Sequence, residues 1–512
     1  MDDETISQDD VFAFLADSAT HGGNKVRRID THAASVFLAG ERALKVKRAV
    51  RFPFLDYSTL DKRKAACEAE LEVNRPFAPE LYLRVVPIVR AGEGFAIGGE
   101  GEPVEWAVEM RRFDEDRTLD RLADRGEIDG ALADALGRAA VAMHGRAPVV
   151  DAGPWLGAVE KFLGQNKEAF AEYPAQFPNA RAEALDRASR AALERLRPLL
   201  AERGRRGLIR RGHGDLHLGN IALIEGKPLP FDAIEFDPLI AAGDVLYDLS
   251  FLLMDLVERG LRGPANAVFN RYLTEAVNDA DLDGLAALPF FMSLRAAIRA
   301  KVTAARLHDA APAQRSRIVE QAEAYFRLAG RVLAPPKPRL FAVGGLSGTG
   351  KSLLARALAP HVPPEPGAVV VRSDVERKRM FGTGETERLP AEAYRPEVGN
   401  RVYARVTERA GAVAKAGHSA IADAVYARAD ERSAIAGAAA GAGVAFTGLF
   451  LVAPLDVRLQ RVGTRTGDAS DADARVAREQ EAYALDGLDW IRVDASGTPE
   501  ETLKRALEAI GR

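Results

Sequence analysis

"HGDLHLGN", residues 213–220, crowds one acid, two histidines, two glycines and an amide between ordinary apolar segments. Asp215 and Asn220 are separated by four residues. At that spacing an acid can take the proton of an attacking hydroxyl while the amide holds a magnesium ion, the division of labour of a phosphoryl-transfer loop. The same pair also arises in turns, where Asp and Asn bond their own backbone. The surroundings of the stretch therefore decide its meaning.

The chain has 512 residues, 47% of them apolar and 28% charged, which is too long for one hydrophobic core and predicts two or three folded domains. Its 70 basic residues against 74 acidic ones give a net charge of −4, so no global charge favours nucleic acid or an anionic membrane. A lone cysteine, Cys67, excludes an intrachain disulfide, fits a reducing cytosol and reads as a packing thiol. The acidic start MDDETISQDD is unlike a secretory signal, and the most apolar run, LYDLSFLLMDLV, is broken by Asp248 and Asp255 and reads as a core helix. A cytoplasmic protein without membrane contact is expected; its oligomeric state is left open.

Punctuation is clearest at LAPPKPRLF, residues 333–341, a proline-rich joint between a long helical region and a new apolar strand. The boundary is placed at residues 334–338, dividing a first domain, 1–333, from a second, 338–512. In the first, short strand-like runs (SVFLAG, ALKVK, YLRVVPIV, EWAVEM) predict a small sheet lobe over about 25–112, followed by a helical lobe over 113–333. In the second, strand and helix signals alternate, which predicts a parallel sheet with helices on both faces.

Phosphoryl transfer needs further parts around HGDLHLGN. A second metal-binding acid should follow at the end of a strand, and Asp232 does so in PLPFDAIEFDP. Upstream, RALKVKR offers a strand lysine in the setting A-x-K, from which a kinase lysine reaches nucleotide phosphates. Lys45 takes that role, with Lys47, on the same strand face, as fallback. The helix KAACEAELEVNR supplies the acid that holds the lysine, Glu70, with Glu68 close behind. VEWAVEMRRF is expected to be the strand whose main chain, around Glu109 to Arg111, meets the adenine. His213 reads as a scaffold for the loop; His217 is unassigned.

Protein-kinase features are missing in an informative way: no G-x-G-x-x-G lies before Lys45, the loop has HGD for HRD, DAI stands for DFG, and no A-P-E follows. What remains resembles the aminoglycoside phosphotransferase family of small-molecule kinases, through HGDLHLGNI and FDAIEFDP with GDVLYDLSFLLMDL. With VRFPFLDYSTL and VNRPFAP, the chain is similar to fused proteins whose first half is aminoglycoside-phosphotransferase-like and whose second half is a P-loop kinase. The resemblance implies a bilobal kinase fold, with Asp215 as catalytic base and Asn220 and Asp232 as magnesium ligands.

In the second half, GGLSGTGKS fits G-x-x-x-x-G-K-S over Gly345–Ser352, after an apolar strand and opening a helix. Gly345, Ser347, Gly348, Thr349 and Gly350 would present backbone N–H groups to phosphate; Lys351 would reach the β- and γ-phosphates, and Ser352 would ligate magnesium. A second strand ends in VVVRSDVER, setting Asp374 and Arg377 at the carboxyl edge of the sheet, where open parallel sheets bind their ligands. This D-x-x-R resembles the acceptor site of P-loop kinases related to polynucleotide kinase and zeta toxin, which implies that Asp374 activates the acceptor hydroxyl. Asp423 in SAIADAVY fits a second magnesium-supporting acid. VRLQRVGTRTGD offers Arg461 and Arg465 as lid arginines for the transferring phosphoryl, Arg458 being left out.

The expected protein is thus a magnesium-requiring phosphotransferase with two heads that use ATP, or GTP, to phosphorylate a hydroxyl of a small molecule. One alternative makes one head an ATP-binding regulator, which would have no use for Asp215 or Asp374. Another makes the second head a nucleic-acid 5′-end or nucleotide-sugar kinase. A nucleic-acid channel would be basic and carry stacking aromatics, of which only Phe381 stands near Asp374.

Overall fold

A computed structural model describes residues 7–52, 55–276, 280–464, 467–485 and 487–511. The chain forms two compact units, one of residues 1–161 and 201–252, the other of residues 162–200 and 253–512. No helix among the described residues is long and apolar enough to cross a membrane.

The first unit is built on a six-stranded antiparallel sheet. Its strands are β1 (Val26–Asp30), β2 (Ala34–Ala39), β3 (Arg42–Lys47), β4 (Tyr82–Ala91), β5 (Gly94–Ile97) and β6 (Pro103–Arg111), in spatial order β1-β2-β3-β6-β4-β5. Period-two alternation sorts β3 into two faces. Leu44 and Val46 enter a core with Phe37, Val86 and Ile88, whereas Ala43 faces the other way with Cys67 and Tyr82. Lys45 and Lys47 share the face of Ala43, and so meet helix α1 (Leu60–Asn74). Thr59 caps α1 by accepting a hydrogen bond from the Lys62 amide, and Asp61 favours its positive N-terminal end. Cys67 is buried and reduced, in keeping with a packing role.

HGDLHLGN follows a short strand, Ile209–Arg211, paired with Ala242–Asp244, and leads into a hairpin of Ile221–Ile224 with Lys227–Pro230. Helix α2 (Val245–Glu258) carries the LYDLSFLLMDLV run. It is a core helix, and the two acids of that run, Asp248 and Asp255, are buried and accept hydrogen bonds.

The second unit contains a five-stranded parallel sheet. Strands β7 (Arg339–Gly345), β8 (Val369–Arg372), β9 (Ala420–Asp423), β10 (Ala445–Val452) and β11 (Ile491–Asp494) lie in the order β8-β9-β7-β10-β11. Phe341, Val343, Ile421, Leu449 and Leu451 are buried beneath helix α4 (Lys351–Leu358), the near-continuous apolar pattern of strands covered on both faces. The edge strand β8 is closed by helix α3 (Arg262–Glu275). The Asn270 side-chain oxygen accepts from the Val370 amide at 2.7 Å, and the Asn266 and Asn270 amides donate to the Ala368 carbonyl at 3.1 and 3.0 Å. These bonds satisfy an edge that would otherwise invite pairing with another strand.

Candidate functional sites

In the first unit, strand β3, helix α1 and the turn after the 227–230 strand deliver their charges to one point. The Lys45 ammonium donates to Glu70 at 2.8 Å and to Asp232 at 2.5 Å. Lys47 bonds the other Glu70 oxygen at 2.6 Å and also pairs with Glu235, which accepts from the Tyr57 hydroxyl at 2.9 Å. Glu70 therefore serves both lysines, while Glu68 lies on the exposed side with Lys64. Burial works against the Lys45 charge, but the Asp232 and Glu70 carboxylates outweigh it and hold the ammonium well above its ordinary value. Burial likewise opposes ionisation of Asp232, and Lys45 overcomes it.

Asp232 has a left-handed backbone, φ +61°, held by its own N–H bonding the Tyr82 hydroxyl at 3.0 Å. Such strain in a non-glycine residue persists where surrounding contacts over-determine it. An apolar cavity of about 390 Å³ opens beside this cluster, lined by Val36, Ala43, Lys45, Met110, Phe231 and Asp232. Its β6 wall is formed by Met110 and Arg111. Glu109 lies one step away, its backbone in the ladder opposite Leu44 and its carboxylate held by Arg42 at 2.7 Å and Arg84 at 2.8 Å.

The HGDLHLGN loop is fixed from beneath. The Asp248 carboxylate on α2 accepts from the His213 and Gly214 amides, both at 2.9 Å, and meets His144 at 3.1 Å. Gly214 sits at φ +78°, where an added Cβ would lie 2.9 Å from the Ala241 Cα. Both conditions require glycine, which accounts for HGD in place of HRD. His213 is buried, and burial lowers its pKa. One ring nitrogen contacts the Phe231 carbonyl at 2.9 Å and the other accepts from the Asp215 amide at 3.3 Å, so it shapes the loop. Asn220 donates to the Asp215 carboxylate at 3.1 Å and to its carbonyl at 3.0 Å. His217 also takes a place here, 3.4 Å from the Asp215 carboxylate, with its other nitrogen accepting from Gly219.

In the second unit, β7 leads through Gly345–Gly350 into α4. Gly348, at φ +86°, passes so close to α6 (Leu455–Thr464) that a Cβ would stand 2.5 Å from the Arg458 carbonyl oxygen. The Ser347 amide donates to the Gln480 side chain at 2.6 Å, Thr349 bonds the Leu346 carbonyl at 2.7 Å, and Lys351 reaches the same carbonyl at 3.2 Å. Ser352 donates to Asp423 at 2.5 Å. Parallel register sets Arg372, the last residue of β8, opposite Asp423, and its guanidinium lies 3.4 Å from that carboxylate.

Asp374 opens helix α5 (Ser373–Met380) at the carboxyl edge of the sheet. Burial and the neighbouring Asp423 carboxylate push its pKa up, although Arg372 and Lys351 pull the other way. Arg377 donates to the Ala393 carbonyl at 2.6 Å and stacks over Tyr394 at 5.0 Å.

The arginines of α6 fall differently from the sequence reading. Arg461 donates to the Ala495 and Gly497 carbonyls at 2.7 and 2.6 Å. Arg465 lies outside the described residues. Arg458, set aside in that reading, is 2% exposed and bonds the Ser347 carbonyl of the loop at 3.4 Å. A helical period distinguishes faces but does not say which face meets a loop far away in sequence. Asp248 and Glu235 were missed for a related reason: an acid within an apolar run gives no sign of which distant backbone amide or lysine it serves.

A family model described as "Phosphotransferase enzyme family" matches residues 54–288, and one described as "AAA domain" matches residues 340–485. The chain is 30% identical over 488 residues to "Uncharacterized protein Rv2004c" of Mycobacterium tuberculosis, covering 93% of this chain and 94% of that protein. "Uncharacterized protein Mb2027c" of Mycobacterium bovis matches with the same identity and extents. Among solved structures, a gluconokinase from Sinorhizobium meliloti 1021 is similar over 34% of this chain and 93% of its own, at 21% identity and TM-score 0.25. An aminoglycoside phosphotransferase from Alicyclobacillus acidocaldarius is similar over 60% of this chain and 90% of its own, at 15% identity and TM-score 0.36.

Proposed function

Because this chain belongs to the family of proteins that join an aminoglycoside-phosphotransferase-like kinase domain to a P-loop kinase domain, we propose that it is a two-headed phosphotransferase. Each head transfers the γ-phosphoryl of ATP to a hydroxyl of a small molecule. What supports this reading is that each head holds a motif lysine and a motif acid: Lys45, bonded to Glu70 and Asp232, and Asp215, bonded by Asn220, in the first; Lys351, in the P-loop, and Asp374, at the carboxyl edge of the sheet, in the second.

In the first head the apolar cavity receives the adenine against Met110, Lys45 orients the phosphates, and Asp215 takes the acceptor's proton. In the second, the Gly345–Ser352 loop and Lys351 cradle the phosphates, Asp374 takes the proton, and the buried Arg458 stiffens the loop. The donors suit magnesium, a hard cation that takes oxygen ligands and is bound through one or two carboxylates with nucleotide phosphate. Asn220 and Asp232 would hold it in the first head, Ser352 and Asp423 in the second. Bound there, it supplies neutralisation of phosphate charge.

Both acids are present, which favours two transferring heads over one regulatory head. The cations around Asp374 are engaged by carboxylates or carbonyls: Arg372 by Asp468, Lys378 by Asp471, Arg377 by Ala393 and Arg379 by Glu376. That arrangement favours a small acceptor over a nucleic-acid strand, which tracks an open basic groove. The testing experiment is titration calorimetry with magnesium and a non-hydrolysable ATP analogue on the full chain. Two nucleotide sites are expected, falling to one in Lys351→Ala; a single site in the unmodified protein contradicts the reading. Incubation with labelled ATP and a metabolite extract, followed by mass spectrometry, identifies the acceptors.

A further inference from the structure

Helix geometry sets Asp374 and Lys378, four residues apart on α5, on one face about one turn (roughly 6 Å) apart. Arg372 immediately precedes the helix, so the proposed acceptor acid lies between two cations. Both are withdrawn from water: Arg372 is 7% exposed and Lys378 2%. A buried charge is costly unless it is paired; besides Asp423 at 3.4 Å and Glu385 at 3.6 Å on Arg372 and the Glu387 carbonyl on Lys378, one segment, Gly467–Asp473, supplies a carboxylate to each. Asp468 accepts from Arg372 at 3.0 Å and meets Arg356 at 3.4 Å. Asp471 accepts from Lys378 at 3.0 Å, from the Tyr394 hydroxyl at 2.5 Å and from the Leu389 amide at 3.0 Å. Between them Ser470 hydrogen-bonds Asp374 itself. The segment therefore lays two carboxylates and a hydroxyl over cation, acid and cation in turn.

A neutral polyol has no negative charge for buried cations on either side of the acid to meet. They are useful when negative charge must be brought to that place. Arg372, beside Asp423 and Ser352, stands on the nucleotide side; Lys378, with Tyr394, stands on the far side of Asp374.

We propose that the acceptor of the second head is itself anionic, a hydroxyl compound bearing a carboxylate or phosphate group, and that this group binds Lys378 and Tyr394 in the place Asp471 holds. The proposal rests on the reading of Asp374 as the acceptor-side acid. The anion then anchors the acceptor about one helical turn from the reacting hydroxyl. That hydroxyl gives its proton to Asp374, its oxygen forms the new bond to the γ-phosphorus, the bond from that phosphorus to the β–γ bridging oxygen breaks, and ADP leaves. Asp468 holds Arg372 until the transferring phosphoryl needs it.

The test uses the full chain with Asp215→Asn, so that the first head is silent, saturated with magnesium and the imido analogue of ATP so that the P-loop is filled. Inorganic phosphate and acetate are titrated separately by calorimetry, and the stronger of the two identifies the anion as phosphate or carboxylate. Asp471→Asn, which removes the competing charge, is expected to tighten the stronger anion roughly tenfold, the equivalent of one charge-assisted hydrogen bond. Lys378→Met is expected to weaken it by at least as much. Asp471→Asn leaves Lys378 in place, so it decides the matter even where Lys378→Met does not fold. Binding of both anions that is absent, or indifferent to Asp471→Asn, overturns the proposal. Failure of the underlying reading looks different: anion binding responds as expected, yet Asp374→Asn leaves transfer to the acceptor found in the metabolite extract undiminished.

Discussion

Ser352, at the start of the helix after the P-loop, and Asp423, at the end of the neighbouring parallel strand, share a hydrogen bond of 2.5 Å although 71 positions separate them in the chain. The hydroxyl proposed to meet the metal is thus oriented by the acid proposed to support it. Partners of this kind are commonly worth about 10–100-fold in metal affinity. Asp423→Asn is therefore expected to raise the magnesium needed for nucleotide binding at the second head by about that factor. A magnesium titration of nucleotide binding in a Lys45→Ala background, which removes the nucleotide-side lysine of the first head, checks this, and an unmoved midpoint contradicts it.

A positioned base contributes ~10²–10⁴ in rate. Asp215→Asn should lose that much turnover in the first head while nucleotide affinity holds, because Lys45, Glu70 and Asp232 keep their contacts. Single-turnover transfer, measured with Lys351→Ala silencing the other head, gives the answer. Full retention of rate would remove Asp215 from its role.

Asp248 satisfies two buried amides of the loop that carries Asp215. Asp248→Ala leaves both without that acceptor, at ~1–3 kcal/mol each. The expected result is a lower melting temperature and a lower first-head kcat with little change in nucleotide KM. Asp248→Asn, which retains one acceptor oxygen, should recover part of both. Equal loss in the two variants would point to charge rather than to loop position.

His418 lies buried in the second unit with one ring nitrogen 2.8 Å from the Gly367 carbonyl, and burial lowers its pKa to about 4 from an ordinary 6.5. The folded state binds this proton less readily than the unfolded one. The stabilising contribution is therefore complete above about pH 6.5 and is lost as pH falls toward 4. At ~1.4 kcal/mol per unit the loss is ~3 kcal/mol. Melting curves from pH 7.5 to 4.5 should show the second unit weakening more steeply in the unmodified protein than in His418→Gln; parallel curves would exclude His418 as the cause.

The proline-rich joint is a weaker separator than its composition suggests, because Asn266 and Asn270 on α3 bond the β8 backbone from the other side of it. A chain of residues 337–512 leaves the Val370 amide and the Ala368 carbonyl at an open edge. It should be less stable than one of residues 253–512 by ~0.5–1.5 kcal/mol for each hydrogen bond lost. Urea unfolding of the two fragments compares them directly, and equal midpoints would show that α3 contributes nothing to the sheet.

Much of the fold was legible because it is carried by local periodicity. Alternating strand and helix signals after residue 338 correspond to the observed parallel sheet, and the short alternating runs before residue 112 to the antiparallel one. The cluster of Lys45, Glu70 and Asp232 could be anticipated for a similar reason: strand, helix and strand-end acid occur in an order that few arrangements satisfy. The choice between Lys45 and Lys47 could not be made from period two, since both lie on one face, and the structure answers it by giving Glu70 to both.

By itself the sequence determined the two nucleotide-site signatures and the parallel class of the second sheet, because these depend on residues close together in the chain. Only the tertiary structure decided that Asp248 holds the HGDLHLGN loop, that Arg458 rather than Arg461 meets the P-loop, and that Asp468 and Asp471 cover the cations beside Asp374. Those pairings join residues far apart in sequence. A charged side chain on a helix face or in a loop carries no local mark of its partner; the partner is fixed when packing brings the two out of water and leaves each the other's nearest source of compensation.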